Sequence, residues 1–451
     1  MRKFFGTDGV RGRANTAPMT SDIIMKLATA AGSYFKKGCT HPKVVIAKDT
    51  RLSGYMIESA LISGFVAVGM DVMLVGPLPT PAISMLVRSL RADLGVMISA
   101  SHNPCEDNGI KLFDRDGFKL SDQVEREIES QMMKEGLHGL VPASELGRAR
   151  RLDDAPGRYI EFVKGTFPKN LRLDGIKIVL DCAHGAAYKV APTVLWELGA
   201  DIIVIGDHPN GFNINHECGA TDVRALQKAV LDHQADVGIA LDGDADRIVM
   251  IDEKGQILDG DQLLAVIVKT WLERDQLRGN CVVGTVMTNL GFERFLDNAG
   301  VRLVRTPVGD RYVSEYMRTH QCNVGGEQSG HIILSDYART GDGLVAALQA
   351  LAVIVAKQKR ASELARVFTP IPQVLKNIQF QKGDPLEYPQ VQKVIEKAVK
   401  KLGTESRLLV RKSGTESVIR VMAQGEDEEL LHTVLDEIIF IMNREGFIQQ
   451  G

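Results

Sequence analysis

The stretch Gly95-Val96-Met97-Ile98-Ser99-Ala100-Ser101-His102-Asn103-Pro104 passes from an apolar segment into small polar residues and a proline. Its apolar part, Leu94 to Ile98, predicts a short buried strand. Asn103-Pro104 ends that strand, because proline cannot donate to a sheet ladder. Ser101 is therefore expected at the mouth of a strand, and in open α/β sheets ligands bind at the carboxyl ends of the strands. Ser101 is a candidate nucleophile, although a turn serine bonded to its own backbone is the simpler hypothesis.

The residues next to Ser101 offer no activating partner. A nucleophile elbow has the pattern G-x-S-x-G, whereas Ala100 and His102 flank Ser101 and neither end of the five residues is a glycine. His102 is expected to be a poor base for its neighbour, because adjacent side chains on an extended chain point to opposite faces. If Ser101 does chemistry, its activation must come from elsewhere in the chain.

Three copies of a strand–loop–helix–strand pattern lie around and beyond this stretch, each the size of a βαβ unit. The predicted strand pairs are 43–48 with 71–75, 176–181 with 201–205, and 281–286 with 301–305. Crossovers of this kind build parallel sheets with helices on their faces. From about residue 374 a shorter segment alternates helix-like and strand-like patterns. The predicted fold class is α/β, with three related α/β domains of mixed, largely parallel sheets and a smaller C-terminal α+β domain.

Composition shifts suggest where these domains meet. Residues 140–158 carry mixed charge and two prolines, residues 255–260 are bracketed by glycines, and residues 368–372 contain two prolines. The expected domains are residues 1–155, 156–257, 258–372 and 373–451.

The overall composition excludes several classes of protein. The 451 residues are 44% hydrophobic and 25% charged, an ordinary globular balance, and a net charge of -3 gives no reason to expect nucleic acid or an anionic membrane as partner. The six cysteines are scattered without a C-x-x-C pair, which predicts free thiols in a reducing compartment. An acidic residue follows the N-terminal Met-Arg-Lys-Phe-Phe-Gly-Thr without an apolar core, and no apolar run approaches the ~20 residues of a membrane span. The cytoplasm is the expected location.

The second informative stretch is Asp242-Gly243-Asp244-Ala245-Asp246-Arg247, which lies between two predicted strands. Three carboxylates at alternate positions of a glycine-containing turn can converge on one point, where they would repel each other without a cation. Hard cations such as Mg²⁺ prefer oxygen ligands of this type. Arg247 could hold a phosphate beside the cation, and a local salt bridge to Asp244 is its alternative.

Two further loops carry polar side chains between glycines. In Gly325-Gly326-Glu327-Gln328-Ser329-Gly330-His331, Glu327 and Ser329 would point the same way if extended, which suits the vicinal hydroxyls of a sugar. In Arg411-Lys412-Ser413-Gly414-Thr415-Glu416-Ser417, with Arg420 beyond, backbone N–H groups, hydroxyls and arginines suit a phosphate. A polar loop and a plain hairpin are the respective alternatives.

Two cationic side chains complete the candidate set. Arg11 lies in the glycine-rich segment 4–13 and could reach a phosphate. Lys111 follows Ser101 by ten residues and could act as an acid or base if neighbouring cations lowered its pKa. A serine, a metal loop, a sugar loop and a basic phosphate loop together suit phosphoryl transfer, which needs positioning and neutralisation of oxygen charge.

The four loops, in this order, resemble those of the α-D-phosphohexomutases, and the resemblance spans the whole chain. Within that superfamily the chain is most similar to the bacterial enzymes that act on glucosamine phosphates. The residues behind the narrower resemblance are the segments 5–12, 285–291, 308–313 and 326–330.

The resemblance implies a heart-shaped protein of four domains with a central cleft, phosphate carried on Ser101, and Mg²⁺ held by that phosphoserine with Asp242, Asp244 and Asp246. Glucosamine 6-phosphate would become glucosamine 1-phosphate through a 1,6-bisphosphate, feeding UDP-N-acetylglucosamine and cell-wall synthesis. A homodimer is also implied. The remaining site residues implied are Glu327 and Ser329 on the sugar hydroxyls, Arg411, Ser413, Gly414, Thr415 and Arg420 on the non-reacting phosphate, Lys111 and His331 as acid/base or charge-stabilising groups, and Arg11, His102 and Arg247 around the phosphoserine.

Three other functions stay open at this point. The nearest is a phosphomannomutase/phosphoglucomutase on the same fold, against which Gln328, between the two proposed sugar ligands, modestly favours an amino sugar. A non-catalytic sugar-phosphate-binding protein would be expected to have lost Ser101 or an aspartate. A simple phosphatase would release inorganic phosphate as fast as it isomerised its substrate.

Overall fold

The computed structural model describes residues 3–6, 8–36, 41–381, 383–412 and 418–447. The chain forms two compact units. The first comprises Met1–Thr285 and Val304–Val367, and the second comprises Val286–Leu303 and Phe368–Gly451.

The first sheet of the first unit has six strands in the order β1-β5-β4-β2-β3-β6. Its strands and neighbouring helices are, in chain order, β1 (Val10–Arg13), α1 (Ser21–Phe35), β2 (Lys43–Lys48), α2 (Gly54–Ala67), β3 (Asp71–Pro77), α3 (Thr80–Ser89), β4 (Leu94–Ile98), β5 (Asp107–Asp114), α4 (Asp122–Met132) and β6 (Ala149–Arg151). Strands β4, β2, β3 and β6 run parallel, whereas β5 is antiparallel to both of its neighbours. All five residues of β4 are buried, as expected for an inner strand covered on both faces. The Ser101 loop follows the carboxyl end of this strand.

The second sheet has five strands in the order β11-β10-β9-β7-β8. The elements of this segment are α5 (Ala155–Lys164), β7 (Lys177–Asp181), α6 (Val190–Glu197), β8 (Asp201–Ile205), α7 (Arg224–Asp232), β9 (Val237–Leu241), β10 (Ile248–Asp252) and β11 (Ile257–Leu258). Strands β9, β7 and β8 are parallel, and β10 pairs antiparallel with β9 and β11. The loop between β9 and β10 carries the three aspartates.

The third sheet has four strands in the order β13-β12-β14-β15. The elements of this segment are α8 (Gly260–Glu273), β12 (Cys281–Thr285), α9 (Leu290–Asn298), β13 (Arg302–Thr306), α10 (Asp310–His320), β14 (Val324–Gly326), β15 (Ile332–Leu334), α11 (Gly343–Lys357) and α12 (Ala361–Leu364). Strands β12 and β14 are parallel, and β15 is antiparallel to β14. Helix α9 belongs to the second unit, and the chain returns to the first unit within β13. The loop after β14 begins with Glu327.

The second unit contains a three-stranded antiparallel sheet in the order β16-β18-β17. Its remaining elements are β16 (Gln373–Gln379), α13 (Pro389–Leu402), β17 (Arg407–Lys412), β18 (Val418–Gln424) and α14 (Glu428–Arg444). Apolar residues of β18 and both helices form its core, among them Val391, Ile419, Val421 and Ile438.

The predicted α/β class, with mixed sheets and a C-terminal α+β segment, is confirmed. Each predicted strand of the three repeats is present within one or two residues, for example β2 at Lys43–Lys48 and β8 at Asp201–Ile205. None of the helices in the described ranges combines the length and apolar character that crossing a membrane requires.

The expectation of free cysteines is wrong for one pair. Cys281 and Cys322 form a disulfide, with Cα atoms 6.0 Å apart. Cys281 begins β12 and Cys322 lies two residues before β14, so the parallel pairing of these strands brings together residues that are 41 positions apart. No local spacing in the sequence could have indicated that pairing. Cys105, Cys182 and Cys218 are free, and Cys39 lies outside the described residues.

Candidate active site

The Ser101 loop is held by a chain of buried hydrogen bonds. Ser101 has a positive φ of 54°, a conformation that costs free energy for a non-glycine residue unless its surroundings fix it. Its backbone N–H donates to Ser99 Oγ at 2.9 Å, and that hydroxyl donates to Asp49 Oδ2 at 2.6 Å. Since Asp49 directly follows β2, the strand beside β4, the neighbouring strand fixes the shape of the loop.

Arg51 is the centre of this arrangement. Its fully buried guanidinium donates to Asp49 Oδ2 at 2.8 Å and to the backbone carbonyl oxygens of Ser101 and Asn103, both at 2.9 Å. It also donates to the carbonyl oxygens of Pro104 and Asp107. One side chain therefore satisfies four backbone carbonyls that a tight loop would otherwise leave buried without partners.

The aspartate loop packs directly against the Ser101 loop. Asn215 Nδ2 donates to the Ser101 carbonyl oxygen at 2.9 Å and to the Asn103 carbonyl oxygen at 3.1 Å. A Cβ atom on Gly243 would lie 2.5 Å from the Ser101 carbonyl oxygen, so a side chain at this position would push the two loops apart. Glycine is needed between Asp242 and Asp244 for this close approach.

The predicted convergence of the three aspartates is confirmed. Asp242, Asp244 and Asp246 are buried, and one carboxylate oxygen from each lies within 4.8 Å of the other two. Asp244 Oδ1 and Asp246 Oδ1 are buried without a hydrogen-bond partner among the described residues. Burial, together with Asp246 and Asp244, raises the pKa of Asp242 to about 7. A compact set of buried oxygen ligands with unused lone pairs fits a hard divalent cation.

The Ser101 hydroxyl points at this cluster. Ser101 Oγ donates to Asp242 Oδ2 at 2.5 Å, so the serine is more than a turn residue bonded to its own backbone. The expectation for His102 rested on an extended chain at Ser101, and this premise is wrong. The positive φ turns the two side chains to the same side, and Ser101 Oγ lies 3.4 Å from His102 Nδ1. Burial, assisted by Arg247 and Arg11, lowers the pKa of His102 to about 4, so the ring is neutral at pH 7.

The acid/base role predicted for Lys111 required neighbouring cations that lower its pKa. The structure instead places Lys111 among carboxylates. It comes from β5, and its Nζ donates to Asp244 Oδ2 at 2.6 Å and to Asp246 Oδ2 at 3.0 Å. Burial by itself lowers the pKa of Lys111, but these two carboxylates and Asp8 outweigh it and raise the pKa well above the ordinary value. The side chain is therefore an ammonium ion.

A buried ionic chain extends from Lys111 to His331. Asp8 lies 3.7 Å from Lys111 Nζ and contacts both Arg11 and Lys119. Lys119 Nζ also donates to Asp310 Oδ2 at 2.6 Å, and Asp310 Oδ2 lies 3.3 Å from His331 Nε2.

His331 connects this series of ionic contacts to the aspartate loop. Its Nδ1 lies 3.6 Å from Asp246 Oδ1. Burial by itself lowers the pKa of His331, but Asp246 and Asp310 outweigh it and raise the pKa. Acidic and basic groups alternate along this series of ionic contacts. Each buried charge therefore lies next to an opposite charge that offsets the cost of its burial.

Two arginines beside the aspartates keep unused donors. Arg247 Nε lies 4.0 Å from Asp246 Oδ1, so its nearest carboxylate is Asp246 rather than Asp244. Arg247 Nε and Arg11 Nε are both buried without a hydrogen-bond acceptor among the described residues. A buried guanidinium group with an unused N–H donor is suited to binding an anionic ligand.

The loop predicted to bind sugar hydroxyls does not have the extended conformation that was assumed for its polar residues. Residues 327–330 form a turn, closed by the Gly330 N–H donating to the Glu327 carbonyl oxygen at 2.9 Å. The premise of an extended chain is therefore wrong for Glu327 and Ser329. Glu327 is buried and its Oε1 accepts the Gly309 N–H at 3.0 Å, whereas Ser329 is exposed.

The N-terminus of α8 holds this turn in place. Gln328 Nε2 donates to Asp259 Oδ2, the N-cap residue of α8, at 3.1 Å, and the Gly260 N–H donates to the Gln328 carbonyl oxygen at 3.0 Å. A Cβ atom on Gly260 would lie 2.2 Å from the Glu327 carbonyl oxygen. The Gln328 amide on which the amino-sugar preference was based therefore has a structural partner.

In the second unit, Arg411 of β17 and Arg420 of β18 are directly opposite each other in the antiparallel register. Like charges in this position destabilise a strand pair, and Arg420 Nε is buried without an acceptor in the part of the chain that the structure describes. An anion beside the pair would relieve the repulsion. Ser413, Gly414 and Thr415, predicted to hold the same phosphate, lie outside the described residues.

Sequence reasoning missed several residues that build this site. They are Asp8, Arg51, Lys119, Asn215 and Asp310. A signal existed for Arg51, because Asp49-x-Arg51 follows the carboxyl end of the strand beside β4. The others come from distant segments, and each is an ordinary polar residue by its local sequence.

The chain matches the four models of the phosphoglucomutase/phosphomannomutase family. Alpha/beta/alpha domain I matches residues 2–138, domain II residues 157–255, domain III residues 259–371 and the C-terminal domain residues 351–439.

Curated relatives are similar over nearly their whole length. The chain is 60% identical to a phosphoglucosamine mutase of Paramagnetospirillum magneticum and 58% identical to one of Zymomonas mobilis, covering 98% of this chain and 99% of the relative in each case.

Solved structures share the fold at lower identity. A phosphoglucomutase/phosphomannomutase family protein from Burkholderia thailandensis superposes with a TM-score of 0.82 at 21% identity, over 98% of each chain. The N-acetylphosphoglucosamine mutase of Aspergillus fumigatus, solved with GlcNAc-6P and magnesium, gives a TM-score of 0.68 at 17% identity, covering 99% of this chain and 96% of that one. The domain models and the extent of similarity to the curated relatives lead to one conclusion: the chain belongs to the bacterial phosphoglucosamine mutases of the α-D-phosphohexomutase superfamily.

Proposed function

We propose that the chain interconverts glucosamine 6-phosphate and glucosamine 1-phosphate by phosphoryl transfer through Ser101. The observation that carries the proposal is the Ser101 hydroxyl, held 2.5 Å from Asp242 beside three converging carboxylates and the Lys111 ammonium. Serine, carboxylates and cations in this order supply a phosphoryl carrier and the charges that balance the transferred group. Relatives named phosphoglucosamine mutase at up to 60% identity support the choice of substrate.

Each half of the proposed reaction moves one phosphoryl group and one proton. In the first half the Oγ–P bond of phosphorylated Ser101 breaks and a P–O bond forms at the sugar 1-hydroxyl, whose proton leaves to a base while Ser101 Oγ takes up a proton. The product, glucosamine 1,6-bisphosphate, turns round in the site. In the second half the bond between phosphorus and the 6-oxygen breaks, the phosphoryl group returns to Ser101 Oγ, which loses its proton, and the 6-oxygen regains a proton as glucosamine 1-phosphate is released.

The cation proposed for the three aspartates is Mg²⁺. The fit rests on three buried carboxylates with two unused oxygens, a donor set that hard cations prefer. When bound, Mg²⁺ would supply positive charge against the phosphoryl oxygens. Asp242, Asp244 and Asp246 would hold it together with phosphorylated Ser101.

The remaining residues are proposed to bind and orient the substrate. Lys111 and His331 stabilise charge on the transferred group or exchange a proton with the substrate, and Arg11, His102 and Arg247 surround the phosphoserine. Glu327 and Ser329 bind sugar hydroxyls. Arg411 and Arg420, with Ser413, Gly414 and Thr415 beyond the described residues, hold the phosphate that does not react. If Lys111→Met and His331→Ala each kept nearly full kcat, the roles of these two residues would be withdrawn.

The function is tested by an isomerase assay with Mg²⁺ and catalytic glucosamine 1,6-bisphosphate, on glucosamine, glucose and mannose 6-phosphates. We expect turnover mainly with the amino sugar, and a fall of at least about 10³-fold in Ser101→Ala. Preference for glucose or mannose phosphate would keep the mechanism and indicate a phosphoglucomutase/phosphomannomutase. Release of inorganic phosphate as fast as isomerisation would indicate a phosphatase, and no turnover at all a binding protein.

The metal is tested by titrating Mg²⁺ into the wild type and into Asp244→Asn by calorimetry, with activity measured in parallel. Loss of one carboxylate should abolish measurable Mg²⁺ binding and lower kcat by about 10³-fold, because the metal contributes several kcal/mol to transition-state stabilisation. Asp236→Asn, which changes an exposed aspartate directly before β9, is the matched control. Unchanged Mg²⁺ affinity in Asp244→Asn would show that the metal does not bind at this loop.

Three wider features are proposed on the same basis. The domains are residues 1–155, 156–257, 258–372 and 373–451, the protein is a cytoplasmic homodimer, and its product feeds UDP-N-acetylglucosamine synthesis. Light scattering on purified protein tests the dimer, and a monomer at working concentration would contradict it. Limited proteolysis tests the boundaries.

A further inference from the structure

A cavity lies in the first unit, at the opposite end of the third sheet from the sugar loop. Its volume is about 680 Å³, and Phe118, Arg278, Ser314, Arg318, Ser335 and Arg339 are among the residues that line it. Cavities of this size hold small organic ligands.

Two of the residues that line the cavity are the arginines Arg318 and Arg339. The guanidinium carbons of Arg318 and Arg339 lie 5.0 and 5.3 Å from the centroid of the Phe118 ring. Within the described ranges, neither guanidinium has a carboxylate at ion-pair distance. Stacking on an aromatic face orients a guanidinium while leaving its N–H groups available, an arrangement suited to a planar or tetrahedral anion.

The acidic groups nearby do not neutralise this surface. Arg278 forms an ion pair with Asp336 at the rim. Asp114 is close enough to Arg318 to interact with it, but its Oδ1 already accepts the backbone N–H groups of Asp116 and Phe118. Among the described residues Arg339 has no carboxylate at ion-pair distance, so the cavity keeps positive charge together with the hydroxyl of Ser335. The Ser314 hydroxyl donates to the Arg339 carbonyl oxygen at 3.5 Å.

The cavity is separate from the candidate active site. Arg278 precedes the amino end of β12, and Ser314 and Arg318 lie in the last two turns of α10. The site residues Glu327 and Asp310 instead follow the carboxyl end of β14 and begin α10. Within the described residues, no hydrogen bond or ion pair joins a residue that lines the cavity to Ser101 or to the three aspartates.

We propose that this cavity is a binding site for the phosphate or diphosphate group of a metabolite, distinct from the site of phosphoryl transfer. Arg318 and Arg339 bind the anion through their free N–H groups, and the Ser335 hydroxyl donates to it. Phe118 together with Met317 and Ile333, which also line the cavity, accommodates the apolar part of the ligand. The inference goes beyond the proposed reaction and does not depend on it.

The direct test is residue-resolved protection from an arginine reagent. The full-length protein is treated with phenylglyoxal with and without millimolar inorganic pyrophosphate, and modification of each arginine is quantified by peptide mass spectrometry. Pyrophosphate should slow modification of Arg318 and Arg339 several-fold. It should leave Arg88 and Arg126, two exposed arginines without ion-pair partners among the described residues, unchanged. Equal rates at Arg318 and Arg339 with and without pyrophosphate would overturn the proposal.

A binding measurement with two matched double variants tests the proposed site independently of the protection experiment. Equilibrium dialysis with labelled pyrophosphate compares the wild type, Arg318→Ala/Arg339→Ala, and Arg88→Ala/Arg126→Ala, which loses the same two charges elsewhere. The cavity variant should bind one equivalent less than the other two proteins while keeping wild-type isomerase activity, which also shows that it is folded. Equal stoichiometry in all three proteins would contradict the proposed site.

Discussion

The Ser101 loop and the Arg411–Arg420 strand pair are built in opposite ways, although both are proposed to handle phosphate. Around Ser101 the backbone carbonyls of Ser101 and Asn103 each accept hydrogen bonds from both Arg51 and Asn215. At β17 and β18 two like charges are directly opposite each other, and one keeps a buried donor unused. The first region is stabilised by its own contacts, whereas the second places two like charges opposite each other, which an anion would help to balance.

This difference follows from the tasks of the two regions. A covalent phosphoryl carrier must be positioned to within a fraction of an ångström, because misplacement is costly to the rate. A group that binds and releases a phosphate in every cycle needs open donors and accepts a cost in stability. Variants of the first region should therefore lose stability, and variants of the second should lose activity while staying folded.

The largest expected effect is on stability, at Arg51. Arg51→Met keeps the length of the side chain but leaves the Asp49 carboxylate without its ion-pair partner and removes one donor from each of four backbone carbonyls. Removing one partner of a buried ionic group costs about 3–5 kcal/mol, so the free energy of unfolding measured by urea denaturation should fall by that amount. Arg115→Met removes an exposed arginine paired with Asp93 and should change stability by less than about 0.5 kcal/mol. If the two variants were equally stable, the Ser101 loop would not depend on Arg51.

At Arg420 the expected effect is on catalysis. Arg420→Ala removes a charge-assisted contact to phosphate and should lower kcat/KM about 10- to 100-fold. The melting temperature should stay the same or rise slightly, since the repulsion with Arg411 is relieved. Lys376→Ala, which removes a surface cation of the same sheet paired with Asp436, is the control and should keep its kcat/KM. A stable Arg420→Ala enzyme with unchanged kcat/KM would contradict the assignment.

The smallest expected effect is at Asn215, which has a positive φ of 57°. Asn215→Gly accepts this backbone conformation without strain and removes only the two side-chain hydrogen bonds to the Ser101 loop. The expected loss in the free energy of unfolding is about 1–2 kcal/mol. Gln358→Gly makes the same exchange at an exposed residue with φ 50°, and should be neutral or slightly stabilising. Equal effects of the two variants would mean that the bonds from Asn215 contribute nothing measurable.

The sequence predicted most of the fold because the elements that form the sheets have strong periodic patterns. β4 and β9 are continuous apolar runs that end in polar residues. Both strands and the loops that follow them could therefore be predicted from the sequence. The convergence of Asp242, Asp244 and Asp246 was also readable, since alternate residues in one short turn stay close in any fold.

Local patterns did not predict conformations that depend on distant segments. The positive φ at Ser101 occurs in a loop that Arg51, fifty residues away, holds by hydrogen bonds, and it contradicts the extended chain that was assumed for His102. The turn at Glu327 is likewise fixed by the cap of α8. For Lys111 the sequence showed a lone lysine, whereas the sheet places it among three carboxylates from two other segments.

The central claim is that Ser101 itself carries the phosphoryl group. The most direct measurement is a single-turnover experiment in which phosphorylated enzyme is mixed with excess glucosamine 6-phosphate and quenched at intervals. Peptide mass spectrometry measures the phosphate on Ser101, and chromatography measures the sugar products. We expect phosphate to leave Ser101 as glucosamine 1,6-bisphosphate appears in equal amount, and to return as glucosamine 1-phosphate forms. Isomerisation with the phosphate on Ser101 unchanged, or with Ser101→Ala at full rate, would contradict the account.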